Sequence, residues 1–182
     1  MKVLSTGFEG LLILESDVFE DSRGFFMESF NQALYKKHNL PSNFVQENQS
    51  HSLKNVIRGL HFQKPPHAQV KLVRVVYGSI LDVVVDLRRD QPTYMKVHTI
   101  ELSAENRQQL LVPAGFAHGF SVLNESAGVF YKCDQHYYPE AEAGIAYNDP
   151  YLKIDWKVPS GVEVVSAKDR GLPQLSSLEF SF

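Results

Sequence analysis

In the string VIRGLHFQ, residues 56–63, a permanent cation and a titratable ring interrupt residues with β character. Val56, Ile57, Leu60 and Phe62 are sheet material; Arg58 and His61 are not. A second histidine, His118, sits in PAGFAHGF. A lone strand histidine is most simply a hydrogen-bonded structural residue. Here polar side chains gather around both: Arg58, Gln63, Gln69 and Lys71 near the first, Asn124 after the second. Imidazole takes and returns a proton near neutrality, so proton transfer is the chemistry this grouping suits. Arg58, and Arg23 in DSRGFFMES, each stand by a glycine, where a guanidinium fork suits a phosphate. The plainer reading of Arg23 is a surface ion pair. No GxGxxG or Walker-type loop is present, so nucleotide binding through those loops is unsupported. Phe25, Phe26, Tyr131, Tyr137, Tyr138 and Trp156 are core by default, but a tyrosine beside a polar pocket can stack on a base or act as an acid.

Metal chemistry is the competing use of two histidines. PAGFAHGFSVLN is similar to the second motif of cupin barrels. Metal cupins also bring two histidines one residue apart and a glutamate in their first motif; the matching stretch here, GLHFQ, has Phe62 and Gln63 instead. A catalytic metal usually takes three protein ligands. The expectation is a cupin-like barrel without metal. Asp169, in SAKDRGLPQL, reads locally as part of a solvated loop, and nothing nearby in sequence brings it to His61.

The elements that must hold these groups are mostly strands. KLVRVVYGSILDVVVDLR, residues 71–88, reads as two β runs around Tyr77-Gly78-Ser79, a predicted hairpin. In its second run Leu81, Val83, Val85 and Leu87 alternate with Asp82, Val84, Asp86 and Arg88, which predicts one core face and one polar face. Further strands are expected in 96–103, 108–115 and 126–138. One helix is expected near 31–38, with Asn31 as N-cap and Pro41 beyond its end, and a shorter helical turn near 148–154. Many short strands with little helix predict a mainly β fold: a cupin-type jelly-roll or double-sheet barrel with a few short helices. Inward-facing polar residues of such a barrel line a ligand cavity.

The chain has 182 residues, 43% hydrophobic and 21% charged, which suits one domain spanning 1–182. A net charge of −3 offers no general attraction to nucleic acid or an anionic membrane. The single cysteine, Cys133, excludes an intramolecular disulfide and a cysteine-based zinc site. The apolar patch near the N-terminus lies between Glu9 and Glu15, too short for a membrane span and without a signal-peptide layout. The cytoplasm is the expected compartment.

Taken in order, DSRGFFMESF, FVQENQSHS, VIRGLHFQ, HAQVKLVRVVYGSILDVVVDLR, PAGFAHGF, VFYKCDQHYYPEAEAGI, YNDP and SAKDRGLPQL resemble the dTDP-4-dehydrorhamnose 3,5-epimerases of deoxysugar biosynthesis. The resemblance covers most of the chain. It implies a homodimeric cupin-type barrel that works without metal or organic cofactor. It also implies a nucleotide-linked 4-keto-6-deoxyhexose as substrate, inverted at carbons 3 and 5, both alpha to the ketone. By the same resemblance His61 is the base, Asp169 its partner, Lys71 the stabiliser of the enolate oxygen and Tyr131 the opposite-face acid. Arg58 is expected at the diphosphate. Arg23, Phe26 and Glu28 match a string that in the family reaches the partner subunit's pocket. Gln46 and Asn48 match the QxN string near base and phosphates, Tyr138 the aromatic against thymine or sugar, and His118 a residue lining the pocket near the sugar. The family commonly has tryptophan where this chain has Tyr147, which bears on fine substrate positioning. Relatives that invert one carbon share most of these residues, so a monofunctional 3- or 5-epimerase is the first alternative. A metal-dependent cupin and a non-catalytic nucleotide-sugar-binding barrel are the others.

Overall fold

Two antiparallel sheets face each other in the structure, a computed structural model describing residues 1–178 and 182. In chain order the strands are β1 (Lys2–Ser5), β2 (Leu12–Glu15), β3 (Val18–Asp21), β4 (Gly24–Met27), β5 (Gln46–Leu53), β6 (Ile57–Gln63), β7 (Lys71–Tyr77), β8 (Ser79–Asp86), β9 (Val97–Ser103), β10 (Gln109–Val112), β11 (Phe116–Val122), β12 (Ser126–Cys133) and β13 (Glu142–Gly144). One sheet runs β1-β2-β10-β7-β12-β5 and the other β13-β6-β11-β8-β9; β3 and β4 form a separate ribbon. This is the mainly β, double-sheet barrel that the spacing of short strands predicts. Among the described residues no helix is long and apolar enough to cross a membrane.

Strand alternation builds three apolar layers. Between the sheets lie Val73, Val75, Ile80, Val84, Leu102, Leu110, Phe116, Phe120 and Val129. Outside the five-stranded sheet, Ile57, Leu60, Leu81, Val83, Val85 and Ala117 are covered by Ile145, Leu152, Trp156 and Leu175 of the C-terminal segment. Outside the six-stranded sheet, Leu14, Leu72 and Leu111 are covered by Tyr35 of helix α1 (Gln32–Lys37) together with Phe30 and Phe44. Asn31 caps α1 as expected: its side chain accepts from the backbone N–H groups of Ala33 and Leu34.

Residues 71–88 do not form a hairpin. β7 pairs with β10 and β12, whereas β8 pairs with β11 and β9, so the chain at Gly78 steps from one sheet to the other. Gly78 has φ +69, and a Cβ there would stand 2.1 Å from the Ser126 carbonyl oxygen, so the crossing needs glycine. The predicted polar face of β8 is not a solvent face either. Every residue of β8 is buried, and Asp82 and Asp86 point between the sheets. Asp86 is satisfied there by Arg88 and by the Thr93 hydroxyl at 2.6 Å.

The segment 148–154 forms turns rather than a helix, organised by Asp149, whose carboxylate accepts from the backbone of Tyr151, Leu152 and Leu175. The stretch read as a solvated loop instead contains helix α2 (Ala167–Arg170), N-capped by Ser166 and burying Asp169. Tyr147 packs in the outer layer beside Trp156 and is not among the residues lining the central cavity.

Candidate active site

A cavity of about 500 Å³ opens between the sheets and is lined by Arg58, His61, Lys71, His118, Tyr131 and Asp169, among others. Arg58 and His61 share it because β6 carries one extra residue. Arg58 lies opposite Phe120 and His61 opposite His118, so three steps on β6 match two on β11. In a regular strand residues three apart face opposite sides; the bulge turns both inward. Two glycines permit it. A Cβ on Gly59 would come 2.6 Å from Gly119 Cα, and one on Gly119 would come 2.5 Å from the Arg58 carbonyl oxygen.

His61 and Asp169 meet although 108 residues separate them. His61 Nε2 lies 2.8 Å from Asp169 Oδ1. Asp169 Oδ2 accepts from the Gly59 N–H at 3.1 Å, and the Asp169 N–H donates to the capping Ser166 hydroxyl. The carboxylate is thus locked to the strand that carries the imidazole, and His61 Nδ1 is left for other chemistry. Burial pulls the His61 pKa below its ordinary 6.5, outweighing the opposing pull of Asp169, so the ring rests neutral at neutral pH.

Lys71 and Tyr131 enter from the other sheet, on β7 and β12. Burial lowers the Lys71 pKa, with Cys133, Asp82 and Glu142 opposing. Burial raises the Tyr131 pKa, so its hydroxyl keeps its proton. Arg58 donates through Nε to the Ser52 hydroxyl at 2.9 Å, which leaves the outer guanidinium nitrogens for an anion. Next to this cavity a smaller recess of about 270 Å³ shares His61, Lys71 and Tyr131 and adds Gln46, Asn48, Tyr137 and Glu142. Gln46 donates to Asn48 at 3.0 Å and accepts from the Tyr137 N–H at 2.8 Å.

Four residues singled out in the sequence stand elsewhere. Arg23, Phe26 and Glu28 lie on or just after the exposed β3–β4 ribbon, outside both recesses, and Arg23 closes a surface fork on Asp21 with its shortest contact at 2.5 Å. Tyr138 stacks flat on His67, with ring centroids 3.9 Å apart, and its N–H donates to Gln63. Residues not singled out also line the site. Lys168 lines the main cavity and pairs with Glu142 at 2.6 Å. Asp82 stands behind His118 at 2.8 Å. An aspartate in strict apolar alternation was the available signal for Asp82; nothing local marks Glu142 or Lys168. Among the described residues no three His, Cys, Asp or Glu side chains converge to hold a metal ion.

The arrangement offers a neutral imidazole on one wall, a protonated phenol on the facing wall, and the amino group of Lys71 beside them. That set suits removal of a proton alpha to a carbonyl and its return from the other side. Known proteins agree. The family described as dTDP-4-dehydrorhamnose 3,5-epimerase matches residues 5–177. The chain is 49% identical over 180 residues to the dTDP-4-dehydrorhamnose 3,5-epimerase of Escherichia coli K12, covering 98% of this chain and 96% of that one. It superposes with TM-score 0.93 and 45% identity on the crystal structure of the enzyme of that name from Elizabethkingia anophelis, covering 99% of each chain. A Legionella pneumophila epimerase solved in complex with dTDP-4-keto-L-rhamnose superposes with TM-score 0.92 and 41% identity, covering 98% of this chain and 94% of that one.

Proposed function

The chain belongs to the dTDP-4-dehydrorhamnose 3,5-epimerase family, and from that membership we propose that it converts dTDP-4-dehydro-6-deoxy-D-glucose to dTDP-4-dehydro-L-rhamnose by inverting carbons 3 and 5. The observation that carries this reading is the placement of His61 and Tyr131 on opposing sheets across one cavity. His61 Nδ1 takes the proton alpha to the ketone. The electron pair of the broken C–H bond moves onto the carbon-4 oxygen, where the Lys71 ammonium stabilises the enolate. The Tyr131 hydroxyl then protonates the carbon from the opposite face. The imidazolium and phenolate so formed exchange with water, which restores the resting state and brings solvent hydrogen into the sugar. Asp169 holds the His61 tautomer and steadies its charged form. Every role is filled by a side chain, so the chemistry calls for no metal or organic cofactor.

Arg58 is assigned to the diphosphate, Gln46 and Asn48 to base and phosphates, His118 to the sugar and Tyr138 to stacking on thymine or sugar. Arg23, Phe26 and Glu28 are assigned to the site of a second copy in a homodimer, a reading supported by the exposure of Phe19, Phe25 and Phe26 on the ribbon. One interior shared by both sheets supports taking residues 1–182 as a single epimerase domain. The cytoplasm is the proposed compartment, in keeping with one buried unpaired thiol at Cys133.

The test is NMR of dTDP-4-keto-6-deoxyglucose in heavy water with the enzyme. Deuterium at carbons 3 and 5 with inverted configuration is expected. Exchange at a single carbon would make the enzyme a monofunctional epimerase, and binding without exchange would leave a binding barrel.

A further inference from the structure

A second carboxylate–imidazole pair lies beside the first. His118 is the cross-strand neighbour of His61 and lines the same cavity. Its Nε2 lies 2.8 Å from Oδ2 of Asp82, a fully buried residue of β8. The other oxygen, Asp82 Oδ1, is buried and finds no donor among the described residues, so His118 is the one side chain that hydrogen-bonds this carboxylate there. A carboxylate only accepts, so Nε2 carries a proton, and in the neutral form of the ring Nδ1 is an acceptor. His118 lines the cavity, and Nδ1 is the ring nitrogen that Asp82 leaves free.

Resting on the epimerase reading above, we propose that Asp82 is a positioning residue that fixes His118 in the Nε2–H tautomer, so that Nδ1 accepts a hydrogen bond from a ring hydroxyl of the sugar. An acceptor at this point also discriminates. It welcomes a hydroxyl and repels a carbonyl oxygen, because two acceptors with no proton between them cost the desolvation of both. The ketone is therefore turned away from His118 and toward the ammonium of Lys71 on the opposite sheet. A keto sugar seated the wrong way round would present its carbonyl to His118 and lose both contacts. Asp82 touches no substrate; it acts through the proton it holds on its neighbour.

Two measurements test this. Nitrogen-15 NMR of the ligand-free protein should show the neutral form of His118 as the Nε2–H tautomer; an Nδ1–H tautomer would overturn the proposal without need of a variant. Asp82→Asn keeps the shape but offers an N–H to Nε2, which reverses the tautomer. That variant should show the Nδ1–H form and lose about 10- to 100-fold in kcat/KM, the scale of one mispaired polar contact. In a His118→Ala background the same change should cost nothing further. Losses that multiply, or an Asp82→Asn enzyme with unchanged tautomer and rate, would reduce Asp82 to a packing role. Deuterium uptake by the wild type keeps the two readings apart. No uptake removes the epimerase assignment; uptake with an indifferent Asp82→Asn removes only this one.

Discussion

His61 is the residue to which the proposed chemistry assigns the base, and its surroundings set the sign of its pH dependence. Its folded pKa is depressed by burial, so the neutral base persists below the ordinary 6.5 and is lost only as pH falls through that lower value. The acid limb of kcat/KM should accordingly lie below 6.5. Asp169 pulls the other way, so Asp169→Asn should move the acid limb to still lower pH while lowering turnover; a limb moving upward in a pH–rate series would contradict this balance. His61→Ala should lower turnover by roughly 10²- to 10⁴-fold, the scale of a positioned general base, with solvent deuterium exchange lost in step. Tyr131→Phe should spare some exchange at the first carbon while blocking product, because in the proposed mechanism the proton leaves toward His61 and returns from the facing wall. Exchange and product lost equally would argue against a donor role for Tyr131.

Elements decide which residues can meet, and here the sequence was only partly legible. Asn31 announced its helix because capping is local chemistry. β8 misled because alternation with period two reports a polar face without saying whether solvent or a polar cavity lies beyond it; Asp82 and Asp86 face the interior. The crossing at Gly78 was hidden for a related reason, since a tight turn between two β runs looks alike whether or not the strands pair. Only the family likeness, not local pattern, joined Asp169 to His61, since the contact spans 108 residues. The β6 bulge was equally silent, although Gly59 and Gly119 both enable it. Gly119→Ala should thus destabilise the fold by about 1–3 kcal/mol in urea titration, the usual range for overpacking, and also misplace Arg58 and His61. Tyr35→Phe on α1 makes the contrasting case. The Tyr35 hydroxyl is buried without a partner among the described residues, so its removal should leave stability unchanged or raise it by about 1 kcal/mol.

At the scale of the whole molecule, each chain carries a ribbon whose assigned residues do not reach its own cavity. If Arg23 serves the site of a second copy, Arg23→Ala and His61→Ala chains should each be weak alone yet complement when unfolded and refolded together. Random pairing would leave about one site in four with both residues intact. A mixture no more active than its components would return Arg23 to the surface pair it makes with Asp21. The two walls carry a last consequence. With an imidazole fixed to one sheet and a phenol to the other, the proposed mechanism gives neither direction of travel a privilege: run from the rhamnose side, the ring on β12 would pull and the ring on β6 would give. The barrel therefore hastens approach to a balance that the two sugars alone determine, and a net flow toward one of them has to be drawn by whatever removes it downstream.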